Sequence, residues 1–247
     1  MYMQFSELKL GDIVFMNGQG TNGASVIKAQ TALQKVCLFG RDSWQTRAAS
    51  PETYHCGIVC HVEKNKVELA HAASKGFARI EIAADTLGSE TGLYEGSSFK
   101  VFRCQSCRGL ADLSGIIARK WVPCNSQPRF WKGEEYYYGP AAYSARKAYR
   151  TFGRSSHYGS GAKQQAALYF QHQDGSVPAL HNETGIKQMF CSMFVVAIWQ
   201  AAAGPDASAQ VMAKDARFTS PMALEGYLVQ NNFWDELGGL DRSWLSS

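Results

Sequence analysis

His55-Cys-Gly-Ile-Val-Cys-His-Val62, with Glu63-Lys-Asn-Lys66 and Val67-Glu-Leu-Ala-His71 behind it, is the stretch on which the reading of the fold turns. Its first eight residues are β-rich and apolar, the next four are polar, and the last five return apolar. That spacing predicts a hairpin of two paired strands. Working outward, Leu8-Lys-Leu-Gly-Asp12 turns into Ile13-Val14-Phe15, another short strand. On the other side, Arg79-Ile-Glu-Ile82 and Ser98-Phe-Lys-Val-Phe-Arg103 alternate like a third and a fourth strand of the set that the hairpin begins. Helical spacing appears over Ser25–Lys35 and again through Leu110, Leu113, Ile116, Ile117 and Trp121, while 40–53 reads as loop.

The far end of the chain carries the best helix. It runs from Cys191 to Ala203 and is closed by Gly204-Pro205, a stop signal. Ser220-Pro221 then starts a short helix, Met222 to Leu228, with proline at the favoured first position. Residues 123–185 are rich in glycine, tyrosine and basic residues and show one helical piece, Ala141 to Tyr149. The expectation is an α+β fold with an antiparallel sheet formed almost entirely before residue 104 and helices packed against it. One domain would span 1–247, with a basic, aromatic insertion at about 125–185.

The 247 residues are 45% hydrophobic and 19% charged, enough apolar material to bury a core and to exclude a disordered chain. The longest apolar run, Phe190 to Ala203, is interrupted by Cys191, Ser192 and Gln200 and falls short of the ~20 residues of a membrane helix. No transmembrane segment is expected. The N-terminal residues lack the basic and apolar regions of a signal peptide, so synthesis in the cytoplasm without one is the expectation. Charge is unevenly placed: Arg103 to Lys163 carries +8, leaving −4 for the rest. Aromatic residues from Trp121 to Tyr158 interleave with that charge, a composition that could grip an anionic surface. No nucleic-acid motif accompanies it, so nucleic acid is not an expected partner. The insertion is expected to border the cleft and govern substrate binding.

Seven cysteines, an odd count, argue for reduced thiols. Cys104-Gln-Ser-Cys107 is spaced like half a zinc ribbon, but Cys124 has no partner at the spacing of a second half. It reads as a strand end followed by a turn, and no metal or other cofactor is expected. Cys191 differs from the rest because it opens a helix. A helix N-terminus and a nearby imidazole are the two devices that turn a thiol into a nucleophile. Of six histidines, His55 begins a strand beside Gly57, whose missing side chain leaves room for a helix or a substrate. His61 lies deeper in that strand, and His157, His172 and His181 lie in polar loop.

An imidazole also needs an orienting group. Glu68 and His71 are the polar residues on the return strand, and their odd separation puts them on opposite faces, so only one can serve. A carboxylate stabilises imidazolium better than a second imidazole, which favours Glu68, with His71 as the alternative. Each residue also has a bland reading. Cysteine on an apolar helix is usually packing, a strand-end histidine is commonly satisfied in place, and a hairpin glutamate is commonly solvated.

The ordered set is what stands out. Gly11-Asp12-Ile13-Val14-Phe15, Ser25-Val-Ile-Lys28, His55-Cys-Gly57-Ile58-Val59, Val67-Glu68-Leu69-Ala70, Cys191-Ser192-Met193-Phe194-Val195 and Ser220-Pro221-Met-Ala-Leu224 follow one another over residues 8 to 228. The series resembles the circularly permuted NlpC/P60 group of papain-like proteins, which includes the lecithin retinol acyltransferase relatives. The resemblance implies a papain-like fold with Cys191 as nucleophile, His55 as general base and Glu68 as orienter. It implies substrate contacts at Ser25, Tyr54, Ser192 and Met193, although relatives often carry a polar residue at the Met193 position. The implied activity is a cysteine peptidase or amidase cleaving amide bonds in peptidoglycan stem peptides. With no signal peptide, delivery as an antibacterial toxin by type VI secretion into a target periplasm would reconcile that substrate with cytoplasmic synthesis. A secretion component and an immunity protein would then be partners. Two other functions fit the same residues: a lipid-directed thioesterase, phospholipase or acyltransferase, and a non-catalytic module binding an anionic surface.

Overall fold

Alternating apolar residues along Thr53–Glu63 and Lys66–Lys75 give each segment one face for a helical layer and one for a second, smaller core. The two strands pair antiparallel, as the hairpin spacing predicts. The computed structural model describes residues 2–18, 50, 52–63, 66–75, 79–86, 97–121, 128–131, 134–137, 151, 155–174, 181–182, 185–186 and 189–240. In chain order these form β1 (Tyr2–Met3), β2 (Ile13–Gly18), β3 (Thr53–Glu63), β4 (Lys66–Lys75), β5 (Arg79–Thr86) and β6 (Ser97–Cys104). There follow α1 (Arg108–Trp121), β7 (Pro128–Trp131), β8 (Glu134–Tyr137), α2 (Ser160–Gln171), β9 (His181–Asn182) and β10 (Gly185–Ile186). The chain continues through α3 (Cys191–Val211), α4 (Pro221–Gln230) and β11 (Trp234–Leu240). The class is α+β.

Seven strands make the main sheet in the order β1-β11-β6-β2-β3-β4-β5. Every pairing in it is antiparallel except β1 with β11, which is parallel. β11 corrects the expectation that the sheet is nearly complete before residue 104. Its sequence, Trp-Asp-Glu-Leu-Gly-Gly-Leu, has neither alternation nor β-branched residues. Pairing with β6 holds it there, and the register slips between Glu236 and Gly238, whose φ is +103°.

On one sheet face Ile13, Phe15, Cys56, Ile58, Ala70, Ala72 and Phe102 meet α1, α3 and α4 in the main core. On the other, Val14, Met16, Val59, Val67, Leu69 and Val101 close over Met3, Leu8 and Leu240. The period of two along β2, β3 and β4 therefore sorts residues between two cores. The helix of Cys191 runs as expected to Gly204, where φ reaches +73° and the chain kinks before Pro205. α4 begins as read, with the Ser220 hydroxyl accepting from the Ala223 amide at 3.1 Å and Pro221 in the first turn.

Three expectations need correction. Cys104 and Cys107 form a disulfide, Cα atoms 5.8 Å apart, where β6 turns into α1, so these two thiols are not reduced. The turn itself was read correctly; the covalent bond across it was not. Second, α2 lies inside the stretch read as an insertion but belongs to the body of the fold. It packs on α3 through Ala162, Ala166 and Tyr169, and the indole N–H of Trp121 donates to the His172 carbonyl at 3.1 Å. Its inward residues are mostly alanine, too small to mark a helical stripe. Third, several cations counted toward a positive side are paired: Arg103 with Asp12, Arg108 with Asp112, Arg119 with Glu68, and Lys163 with Asp206. Arg103 is not on the surface at all; it is buried. The helices expected over Ser25–Lys35 and Ala141–Tyr149 lie outside the described residues.

Candidate active site

The site assembles where the start of β3 meets the start of α3. Phe190 precedes α3 in extended conformation and offers no side-chain cap, so the first backbone N–H groups of the helix have no partner within it. Cys191 is the first helical residue, 4% exposed. The groups that act on its thiol are Cys56 and His55, both on β3. They hold it well below its ordinary range, Cys56 first and then the charge of His55, together outweighing burial.

His55 is half-buried. Its Nε2 lies 2.7 Å from Nδ1 of His71, a residue with no exposed surface, and the rings meet edge to face with centroids 4.9 Å apart. With Nε2 engaged by His71, Nδ1 is the ring nitrogen left for Cys191. The register explains why one imidazole reaches both. Met16 pairs with His55 and Asn17 with Thr53, so Tyr54 is an extra residue, a bulge. Bulges increase local twist and re-aim the neighbouring side chain. Tyr54 packs on the smaller core beside His55, ring centroids 6.2 Å apart.

Glu68 is not brought to His55. A second bulge, at Cys60, pairs Glu68 with His61, farther along β3. The carboxylate is ion-paired with Arg119 of α1 and with Lys66, the latter at 2.5 Å. Burial raises that carboxyl, but the hydrogen bonds and charges of Lys66 and Arg119 outweigh it and set it below the usual carboxylate range. The parity argument holds: Glu68 takes the face that meets α1, and His71 takes the other, one step on from the Ile58–Ala70 pair. His71, the alternative, is the residue that stands within hydrogen-bonding distance of His55.

Two of the expected substrate contacts are buried in the structure. Ser192 is fully buried and its hydroxyl donates to the Thr219 carbonyl at 2.7 Å, tying the start of α3 to the segment before α4. Met193 is buried in the main core. Ser25 lies outside the described residues. Gly57 leaves room, but for the neighbouring strand: a Cβ there would stand 2.7 Å from Leu69 Cγ and 2.9 Å from the Ala70 carbonyl oxygen.

Two contributors were not singled out from the sequence. Cys56 adjoins His55, and its alternation with Ile58 was the signal that it faces the helix. Glu225 of α4 is buried and accepts from Lys100 Nζ at 2.6 Å, Thr53 Oγ1 at 2.5 Å and the Ser50 amide at 3.2 Å, anchoring the strand two residues before His55. No sequence pattern marks it. Among the described residues no group of three or more His, Cys, Asp or Glu could hold a metal ion, and no helix is long and apolar enough to cross a membrane. No family model and no curated protein matches the chain.

Proposed function

We propose that the chain is a papain-like cysteine hydrolase of the permuted NlpC/P60 kind, with Cys191 as nucleophile, His55 as general base and His71 as its orienting group. The observation that carries the reading is one series: a thiol at a helix start, lowered by the charge of His55, which is itself 2.7 Å from a buried His71. Cys191 thiolate attacks the carbonyl carbon of an amide or ester while its proton resides on His55. The backbone N–H of Cys191 donates to the oxygen as it becomes negative. His55 passes its proton to the departing amine or alcohol, leaving a thioacyl-enzyme. It then takes a proton from water as the hydroxyl attacks, and the acid product and the thiol are released. While His55 is protonated, its Nε2–H donates to Nδ1 of His71, which fixes the ring plane.

The substrate class favoured first is the amide of peptidoglycan stem peptides, in keeping with the ordered motif series. Delivery into a target cell, with an immunity protein to protect the producer, belongs to that reading. A second reading has one observation in its favour. A histidine rather than a carboxylate beside His55 brings the site nearer the acyltransferase branch, and with it ester or thioester bonds of lipids. Purified sacculi and labelled phospholipid vesicles, assayed side by side with wild type and Cys191→Ala, separate the two. Release of stem-peptide amines by wild type alone supports the first; release of fatty acid or acyl transfer supports the second. Binding to either surface with no turnover, equal in both proteins, would leave only an anionic-surface binding module.

A further inference from the structure

Thr53 and Cys56 stand three residues apart on β3, an odd separation that a regular strand turns to opposite faces. Both nonetheless face the helices. Cys56 lies in the main core with the residues of α3, and the Thr53 hydroxyl donates to Glu225 Oε2 of α4 at 2.5 Å. Both residues are fully buried. β2 gives the same answer from the neighbouring strand. Its Asn17, two residues beyond the core residue Phe15, has Oδ1 2.6 Å from Thr53 Oγ1. One extra residue between Thr53 and Cys56 reconciles the two, and that residue is the bulge at Tyr54, immediately before His55.

We propose that Glu225 is a positioning residue for His55: by holding the Thr53 hydroxyl against α4, it fixes the bulge at Tyr54 and with it the aim of the imidazole. The inference rests on the cysteine-hydrolase reading and goes beyond it, since that reading takes the aim of His55 as given. Core packing keeps Cys56 on the helical face, and Glu225 keeps Thr53 there. With both ends pinned, the segment between them cannot pair as a regular strand. Released at Thr53, the chain is free to lose the bulge, so that Asn17 pairs with Tyr54. A slip of one residue exchanges faces. Thr53 then turns away from α4, and His55 loses the local twist that brings its Nε2 within 2.7 Å of Nδ1 of His71.

The buried charge points the same way. Glu225 has no exposed surface, and its other oxygen accepts from Lys100 Nζ at 2.6 Å. Lys100 of β6 pairs with Phe15 of β2, which pairs in turn with Cys56, so lysine, phenylalanine and thiol form one row across the sheet. A buried ion pair adds little net stability over apolar residues of the same volume, and its best-attested use is to fix register. Here the pair ties α4 to β6. Through Thr53 and the Ser50 amide at 3.2 Å, the same carboxylate ties α4 to the start of β3. β6 and β3 flank β2, the strand against which the bulge arises.

The test reads the aim of the imidazole directly, as the N–H proton held between the rings of His55 and His71. Nuclear magnetic resonance of protein carrying nitrogen-labelled histidine detects it, and its loss in His71→Ala identifies it. Thr53→Val, which suits a strand but lacks the donor, and Glu225→Leu should both lose that resonance. On whichever of sacculi and phospholipid wild type turns over, both should lower kcat about 10- to 100-fold with KM within about twofold. Thr53→Ser and Glu225→Gln, which keep the hydroxyl and an accepting oxygen, should retain the resonance and kcat within about threefold. Ser114→Ala, which deletes another buried hydroxyl, on α1, should change neither. Glu225→Met serves where Glu225→Leu does not fold. A folded Thr53→Val or Glu225→Leu that keeps both the resonance and wild-type kcat overturns the proposal while the hydrolase reading stands. The expected pattern of resonances in a wild type that turns over neither substrate upholds the placement of His55 by Glu225 and sinks the hydrolase reading instead. A wild type whose two rings share no proton overturns both.

Discussion

At the residue scale, the outcome turns on which face of β4 holds which polar side chain. Glu68 and His71 stand three apart on one strand, so they face opposite ways. The one that meets Arg119 is the one lost to the site. His71→Ala should therefore lower turnover on the order of 10²-fold, with Glu68→Gln leaving most of it; a kinetic comparison of the two variants decides. Glu68→Gln should act on stability instead. Its folded-state carboxyl lies below the ordinary value, so its contribution is present above the unfolded pKa of about 4.3 and is lost as pH falls through the folded pKa. Denaturant unfolding should show the variant less stable at neutral pH, with the difference closing in acid. Equal stability at neutral pH would mean the ion pairs contribute nothing. Cys191 is likewise an acid held below its ordinary range, whereas burial pushes Cys56 and Cys60 up, so limited iodoacetamide should label Cys191 ahead of both, as site-resolved mass spectrometry can read.

At the scale of elements, two ties hold the strand start and the helix start in place. Ser192 anchors the first turn of α3 to Thr219, and Glu225 anchors the start of β3 through Thr53. Ser192→Ala should cost about 1 kcal/mol of stability and leave the Michaelis constant unchanged; a raised constant with unchanged stability would return Ser192 to the list of substrate contacts. Gly57 sets how closely β3 and β4 approach below the site. Gly57→Ala forces a carbon against a backbone oxygen that cannot move alone, and overpacking of this kind costs about 1–3 kcal/mol. Thermal unfolding of the variant measures it, and a neutral result would show that the two strands have room to part.

Across the whole molecule, the sheet is stitched by a buried ion pair far in sequence. Arg103 of β6 donates to both oxygens of Asp12, through Nε at 2.8 Å and Nη2 at 2.6 Å, and Asp12 also accepts from the Lys9 amide at 2.8 Å. Burial pushes the Asp12 carboxyl up, and Arg103 and Lys9 pull it back. Removing Arg103 alone leaves the buried Asp12 to the guanidinium of Arg108, 3.8 Å away, so Arg103→Ala should cost about 3 kcal/mol. Removing both partners should cost less than the single change, which urea unfolding of single and double variants would show.

Much of this was legible in the sequence because it depends on local chemistry. Alternation at a period of two marked β2, the hairpin of β3 and β4, and β6. The start signal at Ser220-Pro221 bounded α4, while Gly204-Pro205, read as a stop, marks the kink beyond which α3 runs on to Val211. The helix-start thiol and the strand-start imidazole could be named from position alone. The rest depended on register and pairing, which a chain read in one dimension does not contain. Bulges at Tyr54 and Cys60 shift β3 by one residue against each neighbour and decide that His71 meets His55 while Glu68 meets His61. β11 is a strand because β6 offers it an edge, and α2 is a helix of the core because α3 covers its alanines. Patterning determined the elements, since each side chain's preference acts over a turn or a pleat; only the tertiary structure decided the partners, since a one-residue slip exchanges the faces of a whole strand.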